Sequence, residues 1–341
     1  MINPIIQTAT TNWKPKPHTV FKDEALAKHI HDIGYTVKPF LSIEQVNSLK
    51  LLYAKEHNLQ MENGGMFYSL YSRDLEYRKR IHDQISSIVS SSFAQYFVDY
   101  KNIVNIFITK ASGPDSEFYL HQDSTALDEF KHSALSVWIP LQDINEANGA
   151  LTVIEKTHPF FSPYRGITIK TPFQKIQSTL KKYLKPIYLK AGDAIFFDSR
   201  LIHNSLPNNS GKDRLVVLCG IFPKDAKFIT CYKDSKENSK IELIEQPDNF
   251  ILENETFYHE CHSRPASGVV IAEVEDDFPE MDSGTFIELC KKHNINQQQI
   301  INELSSTQCH FESEPIVLNK QITPIAKAGL FSKLKSMLFT K

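Results

Sequence analysis

Seven short runs of β-branched and aromatic residues, separated by turn residues, occupy the middle of this 341-residue chain and most constrain its fold. They lie at 103–109, 117–122, 134–141, 150–155, 187–189, 194–198 and 214–222. So many short strands without helices between them predict an antiparallel sandwich or barrel rather than a parallel sheet. Asn148-Gly149 stands between two of the runs and is the dipeptide most typical of a tight β-hairpin turn.

A helical pattern precedes these strands. Ser42 with Gln45 is a capping-box signature, which marks the start of one helix. We therefore predict a helical layer over 20–98, ahead of a β core over 102–223. Apolar residues recur at helical spacing in three segments, which are 23–31, 42–59 and 73–97.

The last third of the chain has a different, charged and amide-rich composition. Helices are predicted at 283–293 and 296–304. The stretch 326–339 is amphipathic and basic, and either packs as a terminal helix on its own domain or docks on a membrane or partner. We expect a catalytic domain over 1–234 and a partly helical extension of unknown role over 235–341.

Composition narrows the class of protein. A hydrophobic fraction of 41% with a formal net charge of -2 is typical of a globular protein and argues against a dedicated nucleic-acid binder. No secretory pattern and no apolar run of about 18 residues is present, so we expect a cytoplasmic protein without a transmembrane segment. The five cysteines include no C-x-x-C pair, which indicates reduced thiols.

A candidate metal site begins at His121-Gln122-Asp123, at the end of an apolar run. In a strand, residues i and i+2 point to the same face, so His121 and Asp123 can hold one ion while Gln122 points away. His203 follows 80 residues later. Two imidazoles and one carboxylate leave three positions of an octahedral Fe(II) open for a bidentate co-substrate and O2.

Arg214 suggests what that co-substrate is. It lies eleven residues after His203, beyond the turn-rich segment 204–213. A hairpin centred on Asn208-Asn209 would place Arg214 directly across from His203. A guanidinium there can bind the distal carboxylate of 2-oxoglutarate as a bidentate fork while the keto-acid end chelates iron.

Taken together, the motifs resemble the phytanoyl-CoA dioxygenase family of 2-oxoglutarate oxygenases across about 34–223. The stretches that carry the resemblance are 121–123, 137–143, 148–151 with 156–158, 190–197 and 203–214. The resemblance implies a mainly β, α+β fold whose core is a double-stranded β-helix, or jelly roll, with iron in its mouth. Thr157-His158 departs from the family's usual Gly-Ser-His, which concerns a substrate loop rather than a metal ligand.

The resemblance also implies roles for single residues. His121, Asp123 and His203 match the metal ligands, Arg214 matches the ligand of the 2-oxoglutarate carboxylate, and Trp138 matches an aromatic residue lining that pocket, unless it is simple core packing. The implied reaction uses Fe(II), 2-oxoglutarate and O2 to hydroxylate an aliphatic carbon of a small-molecule, acyl or amino-acid-type substrate, releasing succinate and CO2. The carboxylate of Asp123 argues against halogenation.

Several alternatives stay open. The chain can be a cupin-like metal enzyme that does not use 2-oxoglutarate, or a catalytically silent jelly-roll binding protein. Arg200 either holds an anionic substrate at the mouth of the site or is a solvated strand-end charge.

Substrate choice is expected from loops 64–73, 124–132 and 159–182. The third loop hints at an anionic or amphipathic ligand through Phe160, Phe161, Tyr164, Arg165, Lys170 and Lys175.

Overall fold

The computed structural model describes residues 13–57, 65–234, 240–254 and 262–298. The α-helices are α1 (Glu24–Ile33), α2 (Ile43–Glu56), α3 (Leu75–Tyr96), α4 (Gln177–Lys181), α5 (Phe250–Glu253) and α6 (Ser283–Lys292). The strands are β1 (Tyr35–Pro39), β2 (Met66–Tyr68), β3 (Tyr100–Lys110), β4 (Phe118–His121), β5 (Leu135–Pro140), β6 (Leu151–Ile154), β7 (Lys185–Ile187), β8 (Asp193–Asp198), β9 (Ile202–Ser205), β10 (Arg214–Pro223), β11 (Phe228–Tyr232), β12 (Lys240–Gln246) and β13 (Val269–Glu275).

The helical layer forms where its pattern predicts it. The capping box of α2 is present, with Ser42 and Gln45 each accepting a hydrogen bond from the other's backbone N–H. Helix α1 ends at Gly34, whose φ of +96° is left-handed and whose absent side chain leaves room for Leu201 and His158. The predicted helices before the β core are therefore confirmed.

Two antiparallel sheets form the β core. The larger has the order β1-β8-β5-β10-β3-β2 and the smaller the order β4-β9-β6-β7. Side chains alternate between the faces of the larger sheet: Val217 on β10 packs with the helices, while Val216 packs with residues of the smaller sheet. The larger sheet thus has helices on one face and the smaller sheet on the other, and the predicted antiparallel β core is confirmed.

The predicted hairpin at Asn148-Gly149 is wrong. Gly149 has a φ of +78°, so the dipeptide does form a tight turn, but β5 before it and β6 after it belong to different sheets. A side chain on Gly149 would meet Leu206 O at 2.9 Å. The dipeptide predicts a local left-handed backbone, whereas the pairing of the flanking strands depends on the rest of the fold.

The predicted pairing of His203 with Arg214 is also wrong. His203 lies on β9, opposite His121 and Val153, whereas Arg214 lies on β10, opposite Lys110. The segment between them crosses from the smaller sheet to the larger one. The spacing on which the pairing was predicted therefore reflects a connection between sheets rather than a hairpin.

The described part of the C-terminal extension combines helices with strands that the sequence pattern did not predict. Strands β12 and β13 of the extension form a third antiparallel sheet with β11, which lies within the predicted domain 1–234. Helix α6 begins where predicted, and its Phe286 and Cys290 pack with Phe160 of the β core. Residues 296–298 of the predicted helix 296–304 are not helical, and its remainder and 326–339 lie outside the described residues. No helix in the described part is long and apolar enough to cross a membrane.

Candidate metal centre

Strands β4 and β9 bring three of the predicted site residues together. His121 at the end of β4 is directly opposite His203 on β9, and their ring centroids are 4.1 Å apart. Asp123 follows two residues after His121, and its Oδ1 lies 3.7 Å from Nε2 of each histidine. Among the described residues these three form the one group of His, Cys, Asp or Glu side chains with the spacing of a metal site.

Hydrogen bonds prepare both imidazoles to act as ligands. Nδ1 of His121 lies 2.9 Å from Tyr119 O, and Nδ1 of His203 lies 2.9 Å from Leu201 O. Because a carbonyl can only accept, each Nδ1 carries the proton, and the lone pair of each Nε2 points toward the cluster. Burial, and secondly the neighbouring His203, lower the pKa of His121 well below its usual value. Both effects favour the neutral imidazole that a metal requires.

The donor set fits a divalent transition metal with open positions. Two imidazole nitrogens and one carboxylate oxygen, all within 4.8 Å of one another, can occupy one face of an octahedral ion. Structural zinc sites instead close all four positions with protein ligands. The geometry thus favours an ion that keeps positions free for other molecules.

Arg214 is a buried cation whose guanidinium is only partly satisfied. It donates to Gly149 O and lies over the Trp138 ring, with Cζ 5.2 Å from the ring centroid. Its Nε has no hydrogen-bond partner, and no carboxylate forms a salt bridge with it, among the described residues. Burial lowers the pKa of Arg214 to about 10.

A second buried basic residue, Lys110, stands beside Arg214 on the neighbouring strand. Its Nζ donates to Ser205 Oγ at 2.7 Å, Leu206 O at 2.7 Å and Ser205 O at 3.2 Å. Burial, and secondly Arg214, lower the pKa of Lys110 to about 6. Lys110 thus ties the end of β9 to β3 close to His203.

Arg200 is not placed to hold an anionic substrate. Its guanidinium is 1% exposed and forms an ion pair with Asp198, with a further hydrogen bond to Ser133 Oγ at 2.7 Å. His18 Nε2 approaches the same Asp198 carboxylate at 2.9 Å. The predicted substrate role for Arg200 is therefore corrected, because its charge is already neutralised in the interior.

The basic residues of loop 159–182 are also engaged with the protein itself. Arg165 is buried and forms two hydrogen bonds with the Glu129 carboxylate, at 2.6 and 2.9 Å. Lys170 and Lys175 both pair with Glu280. Phe160 and Phe161 belong to a buried core. The structure therefore does not support the suggested anionic ligand at this loop.

Two polar residues near the centre were missed in the sequence. Lys110 ends the largely buried strand β3, and Ser136 interrupts the apolar strand β5. Ser136 Oγ donates to Asp123 Oδ2 at 3.0 Å. The available sequence signal was a polar side chain at an inward position of a buried strand. The role of such a side chain depends on which strand lies across the core, and the sequence pattern does not reveal that.

The fold and the cluster define a protein whose antiparallel β core brings two histidines and one aspartate together at a spacing that could hold a metal ion. The family model described as "Phytanoyl-CoA dioxygenase (PhyH)" matches residues 47–216, a span that contains the whole cluster. The chain belongs to this family.

Curated relatives agree with that assignment over part of their length. Phytanoyl-CoA dioxygenase 1 of Oryza sativa subsp. japonica is 33% identical over 133 residues, which cover 37% of this chain and 46% of the relative. Peroxisomal phytanoyl-CoA dioxygenase of Bos taurus is 28% identical over 136 residues, which cover 37% of this chain and 40% of the relative. The chain thus spans about half the length of the curated relatives it matches.

Solved structures show weaker similarity. The epimerase SnoN from nogalamycin biosynthesis is 18% identical with a TM-score of 0.41, covering 60% of this chain and 84% of its own. HygX from Streptomyces hygroscopicus, solved with nickel, 2-oxoglutarate and hygromycin B, is 16% identical with a TM-score of 0.41, covering 60% of this chain and 88% of its own.

Proposed function

We propose that this protein is an Fe(II)- and 2-oxoglutarate-dependent oxygenase that hydroxylates an aliphatic carbon of a small organic substrate. The observation that carries the proposal is the convergence of His121, Asp123 and His203 on one point, since this ligand set is typical of non-haem Fe(II) oxygenases. Membership of the phytanoyl-CoA dioxygenase family supports it. When bound, iron activates O2 at the expense of 2-oxoglutarate, which leaves as succinate and CO2.

The protein's own residues would bind the metal and orient 2-oxoglutarate. His121, Asp123 and His203 hold the metal, and the Arg214 guanidinium binds the distal carboxylate of 2-oxoglutarate against the Trp138 ring. The buried, partly satisfied guanidinium favours this function over a cupin-like enzyme without 2-oxoglutarate, which needs no cation there. A silent binding protein would have no need of both imidazoles held with Nε2 toward the carboxylate.

The architecture and the substrate class are part of the same proposal. Two facing antiparallel sheets are consistent with a jelly roll over 102–223 in a domain that spans 1–234. The rings of Phe118 and Tyr119 lie 4.9 and 5.2 Å from the His121 ring, which favours a substrate that presents an apolar portion to the metal. An acyl or amino-acid-type substrate meets this requirement.

The test is the coupled formation of products. Purified protein with Fe(II), ascorbate and a library of candidate substrates should convert 2-oxoglutarate to equal amounts of succinate and CO2, with one hydroxylated substrate per turnover. His203→Ala should abolish the conversion, while His29→Ala, at an exposed histidine of α1 outside the cluster, should retain it. Wild-type protein that binds iron and yet never forms succinate would contradict the proposal.

A further inference from the structure

Asp123 is fixed at three of its atoms. Its backbone N–H donates to Ser199 O at 2.9 Å, and its backbone carbonyl accepts from Arg165 Nε at 2.8 Å. The third contact is to the side chain, because Ser136 Oγ donates to Oδ2 at 3.0 Å. The backbone of this residue is therefore clamped on both sides, and the hydroxyl of Ser136 controls the rotation of its carboxylate.

The Ser136 hydroxyl distinguishes the two carboxylate oxygens. Oδ2 accepts its hydrogen bond, whereas Oδ1 is the oxygen that lies 3.7 Å from both His121 Nε2 and His203 Nε2. A carboxylate that binds through both oxygens occupies one more position on an ion than a carboxylate that binds through one. A bidentate co-substrate and O2 together need three positions, so binding through one oxygen matters.

We propose that Ser136 is a positioning residue that makes Asp123 bind the metal through Oδ1 alone. This inference rests on the proposed function, since it concerns the same metal centre. Ser136 donates from β5 of the larger sheet, whereas His121 and His203 lie on the smaller sheet. The hydrogen bond therefore links the two sheets at the metal centre.

The donor itself is rigidly placed. Ser136 pairs with Phe197 on one side and Gly220 on the other, so its strand lies inside the larger sheet. It stands two residues before Trp138 and shares its face, which is directed toward the smaller sheet. The Arg165 clamp is equally fixed, because the Glu129 carboxylate holds its guanidinium. Partners of metal ligands held in this way set ligand orientation and metal affinity.

Binding of Co(II) in place of Fe(II) tests the inference without requiring activity. Ser136→Ala should weaken Co(II) binding about tenfold or more and alter the visible absorption of the bound ion, because the freed carboxylate changes the coordination. Ser136→Thr, which keeps the hydroxyl, should restore both affinity and spectrum. Ser69→Ala is the matched control, since the Ser69 hydroxyl accepts from Phe107 N away from Asp123.

The outcomes are distinguishable. Wild-type protein that binds no Co(II) overturns the proposed function and this inference with it. Wild-type protein that binds Co(II) while Ser136→Ala matches it in affinity and spectrum overturns the inference alone. Thermal unfolding of the metal-free variants reports folding, and Ser136→Val replaces Ser136→Ala if the latter does not fold. Valine offers no hydrogen-bond donor, so it should likewise give reduced affinity, and unchanged affinity and spectrum would contradict the inference.

Discussion

Arg200 and Arg214 are both 1% exposed, yet they meet opposite surroundings. Arg200 is paired with Asp198, and although burial alone would lower its pKa, Asp198 raises it. Arg214 has a carbonyl and an aromatic ring around it and no carboxylate among the described residues, so burial lowers its pKa. A buried charge without a partner is costly. The difference supports the proposal that Arg214 binds an anion, whereas Arg200 stabilises the fold through its ion pair.

The largest expected effect is on the structural arginine. Arg200→Met should lower the free energy of unfolding by about 3–5 kcal/mol, because it leaves the Asp198 carboxylate buried without its main partner. Arg214→Met should lower it little or raise it, since that change removes a buried charge without a carboxylate. Urea unfolding of the metal-free proteins measures both. Equal losses of unfolding free energy in the two variants would contradict the difference between Arg200 and Arg214.

The second effect is on co-substrate binding. Arg214→Met should raise the dissociation constant of 2-oxoglutarate about 100-fold, which corresponds to the loss of about 3 kcal/mol of charge-assisted hydrogen bonding. Anaerobic calorimetry with the Fe(II)-loaded protein measures it, and an unchanged iron affinity serves as the control. If Arg214→Met binds 2-oxoglutarate as tightly as the wild type, Arg214 does not bind this co-substrate.

A smaller change separates charge from geometry at the same position. Arg214→Lys keeps the positive charge but lacks the planar fork, so 2-oxoglutarate should bind about tenfold more weakly than to the wild type. The same calorimetric titration applies. If lysine serves as well as arginine, the carboxylate is held by charge alone.

The smallest effect concerns the aromatic ring under the guanidinium. Trp138→Phe should weaken 2-oxoglutarate binding about 2–5-fold, because a cation–π contact contributes about 0.5–1 kcal/mol. Trp13→Phe is the matched control, since the Trp13 ring lies 5.4 Å from Arg200 Cζ instead. Equal weakening in both variants would mean that neither ring acts through its own arginine.

What the sequence predicted well is local. The period of two predicted that His121 and Asp123 share a face, and their side chains do converge although β4 ends at His121. The capping box of α2 involves only residues three positions apart. The resemblance to the family supplied His203, Arg214 and Trp138. None of these inferences required knowledge of the sheet order.

The features that the sequence did not predict depend on contacts across the core. The turn at Gly149 and the segment before Arg214 each connect two sheets, and local turn chemistry cannot distinguish such a crossing from a hairpin. Arg200 is held by Asp198 and Ser133, and Asp198 is also bonded by His18, and only the fold brings His18 and Ser133 to this ion pair. Strand β12 was missed because its charged residues obscured the alternation of its apolar ones.

The proposed function requires one site that holds iron and 2-oxoglutarate together. Its most direct test is an anaerobic titration of Fe(II) and 2-oxoglutarate into the protein, followed by the visible charge-transfer absorption of a keto acid chelated to ferrous iron. We expect a saturable band that requires both components, disappears in His203→Ala, and needs much more 2-oxoglutarate in Arg214→Met. Wild-type protein that binds iron but gives no band, or an unchanged band in His203→Ala, would contradict it.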